Sequence, residues 1–167
     1  MPVITVRRFD YDTLKNKLTA DDKIVVLSCD SCARLSDGLG GKKALANLVD
    51  KLEADGFQVV YQKLLPAACS HDHLKGCLND AEARAALEEA NVVISLSCER
   101  GVQEADVVLP DLRAIRVTQT LGHGIFSPEH GAILTQPIEG LGLQTDDAEG
   151  MSIINAASLL GLHPGSF

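Results

Sequence analysis

Apolar residues in this chain fall into short continuous runs that alternate with segments of helical periodicity. The runs 23–29 and 91–98 are rich in Val and Ile, which is the pattern of buried strands. A third run, 57–65, is closed by Pro66. We therefore predict three buried strands with helical segments between them.

The helical segments show apolar residues three and four positions apart. In residues 42–55 the apolar face consists of Leu45, Leu48, Val49 and Leu52, and Gly56 supplies the C-terminal stop. The same reasoning predicts helices over residues 10–19, 79–90 and 151–160.

The remaining segments carry weaker patterns. We expect short strands at 2–6, 107–109 and 114–118 and a helical turn at 101–105. We also expect a loop at 67–77, an interruption of regular secondary structure at 122–124 and a hairpin over 125–138.

Strands and helices that alternate at this spacing indicate an α/β fold. We predict a three-layer arrangement with a largely parallel sheet, of the Rossmann or flavodoxin type, followed by a C-terminal hairpin and helix. The predicted domains are an α/β domain at residues 1–125 and an extension at residues 126–167 that packs on this domain or on a partner.

Composition narrows the function classes. The 167 residues carry a net charge of −8, which argues against nucleic acid and anionic lipid as partners because both require a basic surface. No apolar run reaches the roughly 20 residues that cross a bilayer, and the start lacks the features of a signal peptide. We therefore expect a cytoplasmic protein, in which cysteines serve as ligands, redox groups or core residues more often than as disulfides.

Five cysteines concentrate at the predicted strand ends. The first strand runs into Leu27-Ser28-Cys29 with Cys32 three residues later, and the strand at 91–98 ends in Leu96-Ser97-Cys98. Cys69 and Cys77 lie in the loop after the strand at 57–65. Because parallel strands finish at one edge of a sheet, where ligands bind, we expect these cysteines to share one rim.

These cysteines allow three interpretations. They are small hydrophobic core residues, or Cys29 and Cys32 form a redox pair, or four of them bind a metal. A redox pair fits less well, because such motifs normally open a helix directly and because Cys98 would have no role. Four thiolates suit a structural Zn²⁺ or an iron–sulfur cluster, and the spacing does not choose between them.

Neighbouring residues add little to this picture. His71 and His73 lie beside Cys69, and we interpret them as solvent-exposed residues of a polar loop rather than ligands. Gly38, Gly40 and Gly41 lack the order of a dinucleotide-binding loop, so we interpret them as a turn that lets the backbone approach a cluster.

Two motifs extend beyond the cysteines themselves, Cys29-Asp30-Ser31-Cys32-Ala33 and Ser97-Cys98-Glu99-Arg100-Gly101-Val102-Gln103. They resemble motifs of the small iron–sulfur subunit associated with methylenetetrahydrofolate reductase in acetogens and related anaerobes, also called the methylenetetrahydrofolate reductase C-terminal domain family. The order of elements is also similar over roughly residues 3–125. The chain departs from the family at Ser36, where members often have a cysteine, and in lacking a Cys-rich C-terminal segment.

The resemblance implies one [4Fe–4S] cluster, held by Cys29, Cys32, Cys69 and Cys98, and a flavoprotein reductase subunit as partner in a hetero-oligomer. Whether Cys69 or Cys77 supplies the remaining ligand stays open at this point. We expect a non-catalytic accessory or electron-transfer subunit of an oxidoreductase complex in one-carbon metabolism. The alternatives are a structural zinc-binding interaction module and a thiol redox protein that uses Cys29 and Cys32.

Overall fold

Two four-stranded sheets organise the protein, one parallel and one antiparallel. The structure, a computed structural model, describes residues 2–145 and 149–167. Its strands are β1 (Val3–Arg7), β2 (Lys23–Cys29), β3 (Gln58–Leu65), β4 (Val92–Leu96), β5 (Arg113–Ile115), β6 (Thr118–Ser127), β7 (Gly131–Pro137) and β8 (Met151–Ser152). Its helices are α1 (Tyr11–Asn16), α2 (Cys32–Leu35), α3 (Gly41–Ala54), α4 (His71–Cys77), α5 (Ala81–Glu89), α6 (Glu99–Val108) and α7 (Ile153–Leu160).

The parallel sheet has the strand order β3-β2-β4-β5 and confirms the predicted α/β class. Its central strands are fully buried because alternate residues enter two separate cores. On β2, Ile24 and Val26 pack with α1 and α3, whereas Val25 and Leu27 pack with α4, α5 and α6. Burial on both faces explains why these strands appear in the sequence as continuous apolar runs.

The antiparallel sheet has the order β1-β6-β7-β8, and the sequence did not predict it as a unit. The predicted hairpin is confirmed, since Ser127 pairs with Gly131 across its turn. However, β6 begins at Thr118 and also pairs with β1. Helix α7 covers this sheet through Ile153, Ala156 and Ala157.

Three local predictions are wrong. Residues 67–77 do not form a loop throughout, because Ser70 accepts a hydrogen bond from the His73 N–H and caps α4. Residues 107–109 are not a strand, because α6 runs through Val108. Residues 122–124 do not interrupt the secondary structure, because β6 continues through them.

Gly122 and Gly124 allow β6 and β7 to approach each other closely. A Cβ atom on Gly122 would collide with the Gln136 carbonyl, and one on Gly124 would collide with the Ile133 carbonyl. They flank a shift in register between β6 and β7. The two glycines therefore permit the pairing of β6 with β7 that they were expected to interrupt.

The predicted division at residue 125 falls inside β6, which extends from Thr118 to Ser127. The core of the antiparallel sheet combines Ile4 and Val6 of β1 with Leu134 of β7 and Ile153 of α7. The first strand therefore shares a core with the proposed extension, and the two-part division stays a prediction.

In the described part of the chain, no helix combines the length and the apolar character that are needed to cross a membrane.

Candidate metal centre

The carboxyl ends of three adjacent parallel strands meet at one edge of the sheet. Cys29 is the last residue of β2 and pairs with Leu65, the last residue of β3. Ser28 pairs with Leu96, the last residue of β4. Cys98 follows β4 by two residues and Cys69 follows β3 by four. The predicted rim therefore exists, and it holds Cys29, Cys69 and Cys98.

The two serines of the repeated Leu-Ser-Cys sequence hold the ends of these strands in place. Both are fully buried. The Ser28 hydroxyl donates to the Gly41 carbonyl at 3.1 Å, and the Ser97 hydroxyl lies 2.8 Å from that of Ser95. Thr118 also donates to the Ser97 carbonyl at 2.8 Å. In the sequence these serines are visible only as a repeat. Buried hydroxyl groups are nearly always hydrogen-bonded, which is the signal that could have indicated their role.

Cys98 is the residue before α6, at the N-terminal end of this helix. Burial raises the pKa of the Cys98 thiol, and hydrogen bonds from the backbone N–H groups of Gly101 and Arg100 lower it. The thiols of Cys69 and Cys29 raise this pKa further. Cys98 is therefore within electrostatic range of two cysteines that are far from it in the sequence.

The three thiols differ in their access to solvent. Cys29 is 4% exposed and Cys98 is 6% exposed, whereas Cys69 is exposed at the surface. All five cysteines of the chain are free thiols. The group therefore has a buried side formed by two strand ends and an open side formed by the loop before α4.

Cys32 and Cys77 occupy different positions from this trio. Cys32 is partly exposed at the start of α2, and within the described residues its thiol is not among the groups that shift the Cys98 pKa. Cys77 ends α4 and acts instead on the pKa of Tyr61 in β3. In the described part of the chain, Cys69 acts on the Cys98 pKa and Cys77 is not among the groups that do so. The choice of Cys69 over Cys77 as a ligand stays a prediction.

A short helix follows the Cys29-x-x-Cys32 motif. Cys29 is the last residue of β2, and Cys32 is the first residue of the four-residue helix α2. The second cysteine of the pair, and not the first, therefore lies at the start of this helix.

Two glycines bring backbone and side chains close to the cysteines. A Cβ atom on Gly40 would lie 2.6 Å from the Cys29 carbonyl oxygen and 3.1 Å from that of Leu96. A Cβ atom on Gly101 would lie 2.9 Å from the Ala68 Cβ atom, next to Cys69. Any larger residue at either position would push the strand ends or the Cys69 loop away. The turn at Gly40 therefore lies tightly against the ends of β2 and β4, and its approach to a cluster stays a prediction.

Ser36 has a structural role. It stands where members of the family that the chain resembles often have a cysteine. The side chain is fully buried, and its oxygen accepts a hydrogen bond from the Thr5 N–H at 3.1 Å. The hydroxyl also lies within hydrogen-bond distance of the Val3 and Cys32 carbonyls. Ser36 therefore ties β1 of the antiparallel sheet to the segment that carries Cys32.

The histidines lie outside this group. His71 and His73 are exposed as expected, and His71 contacts Glu104 at 3.2 Å.

Within residues 2–145 and 149–167, no three His, Cys, Asp or Glu side chains are arranged to hold a metal ion. The donor chemistry alone is of the kind that iron–sulfur clusters use, because thiols follow three strands at one sheet edge and the backbone N–H groups of Gly101 and Arg100 act on the Cys98 sulfur.

Comparison with protein-family models, with curated proteins and with solved structures finds no match to this chain.

Proposed function

We propose that this protein is an iron–sulfur accessory subunit of a flavin-dependent oxidoreductase complex of the methylenetetrahydrofolate reductase type. One [4Fe–4S] cluster is held by Cys29, Cys32, Cys69 and Cys98. The support from sequence is the resemblance of the two cysteine motifs to those of this family.

The observation that carries the proposal is the convergence of Cys29, Cys69 and Cys98. Their positions differ by up to 69 residues in sequence, yet the thiols of Cys29 and Cys69 both raise the pKa of Cys98. Core cysteines that serve only as hydrophobic residues have no need to converge at a solvent-facing strand edge. Cys32, three residues beyond Cys29 and partly exposed, is the nearest remaining thiol in sequence and completes the proposed set.

When bound, the cluster would supply one-electron transfer. The protein contributes the environment that sets its reduction potential. The N–H groups of Gly101 and Arg100 stabilise negative charge on the Cys98 sulfur, and burial of Cys29 and Cys98 limits access of water from one side.

The proposed partner is a flavoprotein reductase subunit. Large apolar side chains are exposed on α7 and on the β6–β7 hairpin, namely Ile154, Leu159, Ile125 and Phe126. Such side chains are suited to the core of an interface. The proposal also includes a cytoplasmic location, where thiols stay reduced, and a three-layer arrangement of the Rossmann or flavodoxin type around the parallel sheet.

Iron and sulfide analysis of the anaerobically prepared protein tests the cluster. We expect about four iron and four acid-labile sulfide per chain. Cys69→Ser is expected to abolish most of this content, whereas Cys77→Ser, a matched variant at the far end of α4, is expected to retain it. Protein without iron, or equal losses in both variants, would contradict the proposed ligand set.

A second candidate function is a thiol redox protein, and the observation that favours it is the helix α2 that follows the Cys29-x-x-Cys32 motif. In that case Cys32→Ser would abolish disulfide reductase activity and Cys98→Ser would leave it unchanged. The structural zinc module is the remaining alternative, and one zinc per chain without sulfide would identify it.

A further inference from the structure

A basic cavity lies beside β5, the strand at one edge of the parallel sheet. Its volume is about 630 Å³, within the range of small-molecule sites. Four cationic side chains line it, together with an aromatic ring and two apolar residues of the edge strand: Arg8, Lys17, Arg113, Arg116, Phe9, Ala114 and Ile115. In the described part of the chain, no carboxylate lines this cavity.

The concentration of positive charge here contrasts with the chain as a whole. The protein has a net charge of −8, with 15 Lys and Arg residues against 23 Asp and Glu. Four of those 15 cations surround one cavity. Arg113 and Arg116 are paired with carboxylates, but among the described residues Arg8 and Lys17 are not. An anion beside these two like charges would lower their electrostatic energy.

Two of the four cations are held in place without being neutralised. The Arg8 Nε donates to the Thr118 carbonyl at 2.7 Å, and the Lys17 ammonium lies 5.2 Å from the centre of the Phe9 ring. Across residues 2–145 and 149–167, neither Arg8 nor Lys17 forms an ion pair. The terminal nitrogens of Arg8 thus remain for a bidentate contact with an oxyanion.

The other two cations are fixed by carboxylates outside the cavity. Arg113 contacts Asp22 at 3.0 Å, and Arg116 contacts Asp106 at 2.6 Å and Glu99 at 3.4 Å. Arg113 also donates to the Lys17 carbonyl at 3.2 Å. These contacts hold both guanidinium groups in position and engage one N–H of each terminal nitrogen, and a guanidinium carries five N–H donors in total. They therefore add directed N–H groups to the charge supplied by Arg8 and Lys17.

We propose that this cavity binds a small molecule that carries at least two negative charges on phosphate or carboxylate groups. The oxyanions contact the four cations, and an apolar part of the molecule contacts Phe9 and Ile115. The cavity involves none of the cysteines, so this site does not depend on the proposed cluster. A small molecule suits a cavity bounded by β5, the segment before α1 and the end of α1 better than an extended acidic peptide does, since β5 offers only three residues for pairing.

Calorimetric titration of the full-length protein with inorganic pyrophosphate and with citrate tests the proposal. We expect at least one of the two to bind, with an affinity that falls as salt is added. Arg8→Gln and Lys17→Gln should each weaken binding about tenfold, because each removes a charge-assisted contact. Lys75→Gln, which removes one charge from α4 beside the opposite edge strand β3, should bind as the unaltered protein does.

Binding of pyrophosphate alone or citrate alone supports the proposal and identifies the preferred oxyanion. Lys17→Gln alters an exposed side chain, so a misfolded Arg8 variant would still leave an interpretable result. The proposal is overturned if neither probe binds at millimolar concentration, if the cavity variants bind as Lys75→Gln does, or if only a hexaglutamate peptide binds. The last outcome would assign the cavity to an acidic protein partner.

Discussion

Two cysteines of the candidate centre have opposite environments although they lie near each other. Cys69 is exposed after β3, whereas Cys98 is buried at the start of α6, where burial raises the pKa of its thiol. A thiol reacts as its thiolate, so a raised pKa and a buried sulfur both slow its chemistry. The contrast makes thiol reactivity a direct probe of this site in the cluster-free protein.

We predict that iodoacetamide labels Cys69 at least about tenfold faster than Cys98 at neutral pH in protein prepared without a cluster. Mass spectrometry of the labelled peptides measures both rates, and the same protein in urea, where environments are equal, is the control. Equal rates in the folded protein would contradict the burial of Cys98.

The raised pKa also has a consequence for stability. The folded state retains the Cys98 proton above the ordinary thiol value of 9.0, where the unfolded chain releases it. This contribution to stability is therefore fully present below about pH 9 and is lost as the pH rises toward the folded-state pKa. We expect urea midpoints of the cluster-free protein to fall above pH 9, and to fall less steeply in Cys98→Ala.

At the scale of elements, tight contacts at glycine align the strand ends with the helices that follow. Gly40 lies against the carbonyls of Cys29 and Leu96, so the turn before α3 contacts the ends of β2 and β4 directly. Gly76 in α4 has the opposite environment, because nothing lies within 4 Å of the position that its Cβ would take.

We predict that Gly40→Ala destabilises the protein by about 1–3 kcal/mol, since backbone atoms must move to admit the methyl group. Gly76→Ala is the matched control, and it should stabilise the protein by about 0.5–1 kcal/mol because alanine is the better helix former. Urea unfolding of both variants provides the measurement. If Gly40→Ala left the free energy of unfolding unchanged, the turn would tolerate the displacement and the prediction would be wrong.

Elements with long, regular patterns were predictable from the sequence. Helix α3 has 14 residues with an amphipathic face, and β2 and β4 are continuous apolar runs, so each was found close to its observed bounds. Helix α4 was missed because seven residues show too little periodicity. The end of α6 was misread because a Val-Val-Leu run fits a strand and a helix equally well.

The candidate site was predictable to the extent that sheet topology determines it. Adjacent strand ends explain why Cys29, Cys69 and Cys98 meet, and the parallel order was expected from the alternation of strands and helices. The sequence did not reveal α4, which ends at Cys77 and begins two residues after Cys69. The basic cavity was not predictable, because its cations come from segments that only the tertiary fold brings together.

At the scale of the whole molecule, the exposed apolar residues are separate from the cysteines. Ile154 is 59% exposed and Leu159 is 69% exposed, both on α7, while the cysteines of the candidate centre lie around the parallel sheet. Substitutions on α7 can therefore test the proposed docking surface without altering the cysteines proposed to bind the cluster.

We predict that Leu159→Glu weakens binding to a purified flavin-containing methylenetetrahydrofolate reductase subunit at least about tenfold, because a charge would replace an apolar contact. Val107→Glu on α6, which alters a side chain of similar exposure at 65%, is the control and should bind normally. Surface plasmon resonance measures both affinities. Equal affinities would remove α7 from the interface, while the iron content of the variant reports separately on the cluster.

The pairing of β1 with β6 also constrains the order in which the protein folds. The hydroxyls of Thr5 and Thr120 lie 3.4 Å apart although 115 positions separate them in sequence. All of β2 to β5 lies between the two strands, so pairing of β1 closes a long loop, whereas the β6–β7 hairpin is local. During synthesis on the ribosome, β1 leaves the exit tunnel well before β6, so its edge has to stay unpaired until the strands of the parallel sheet have been made.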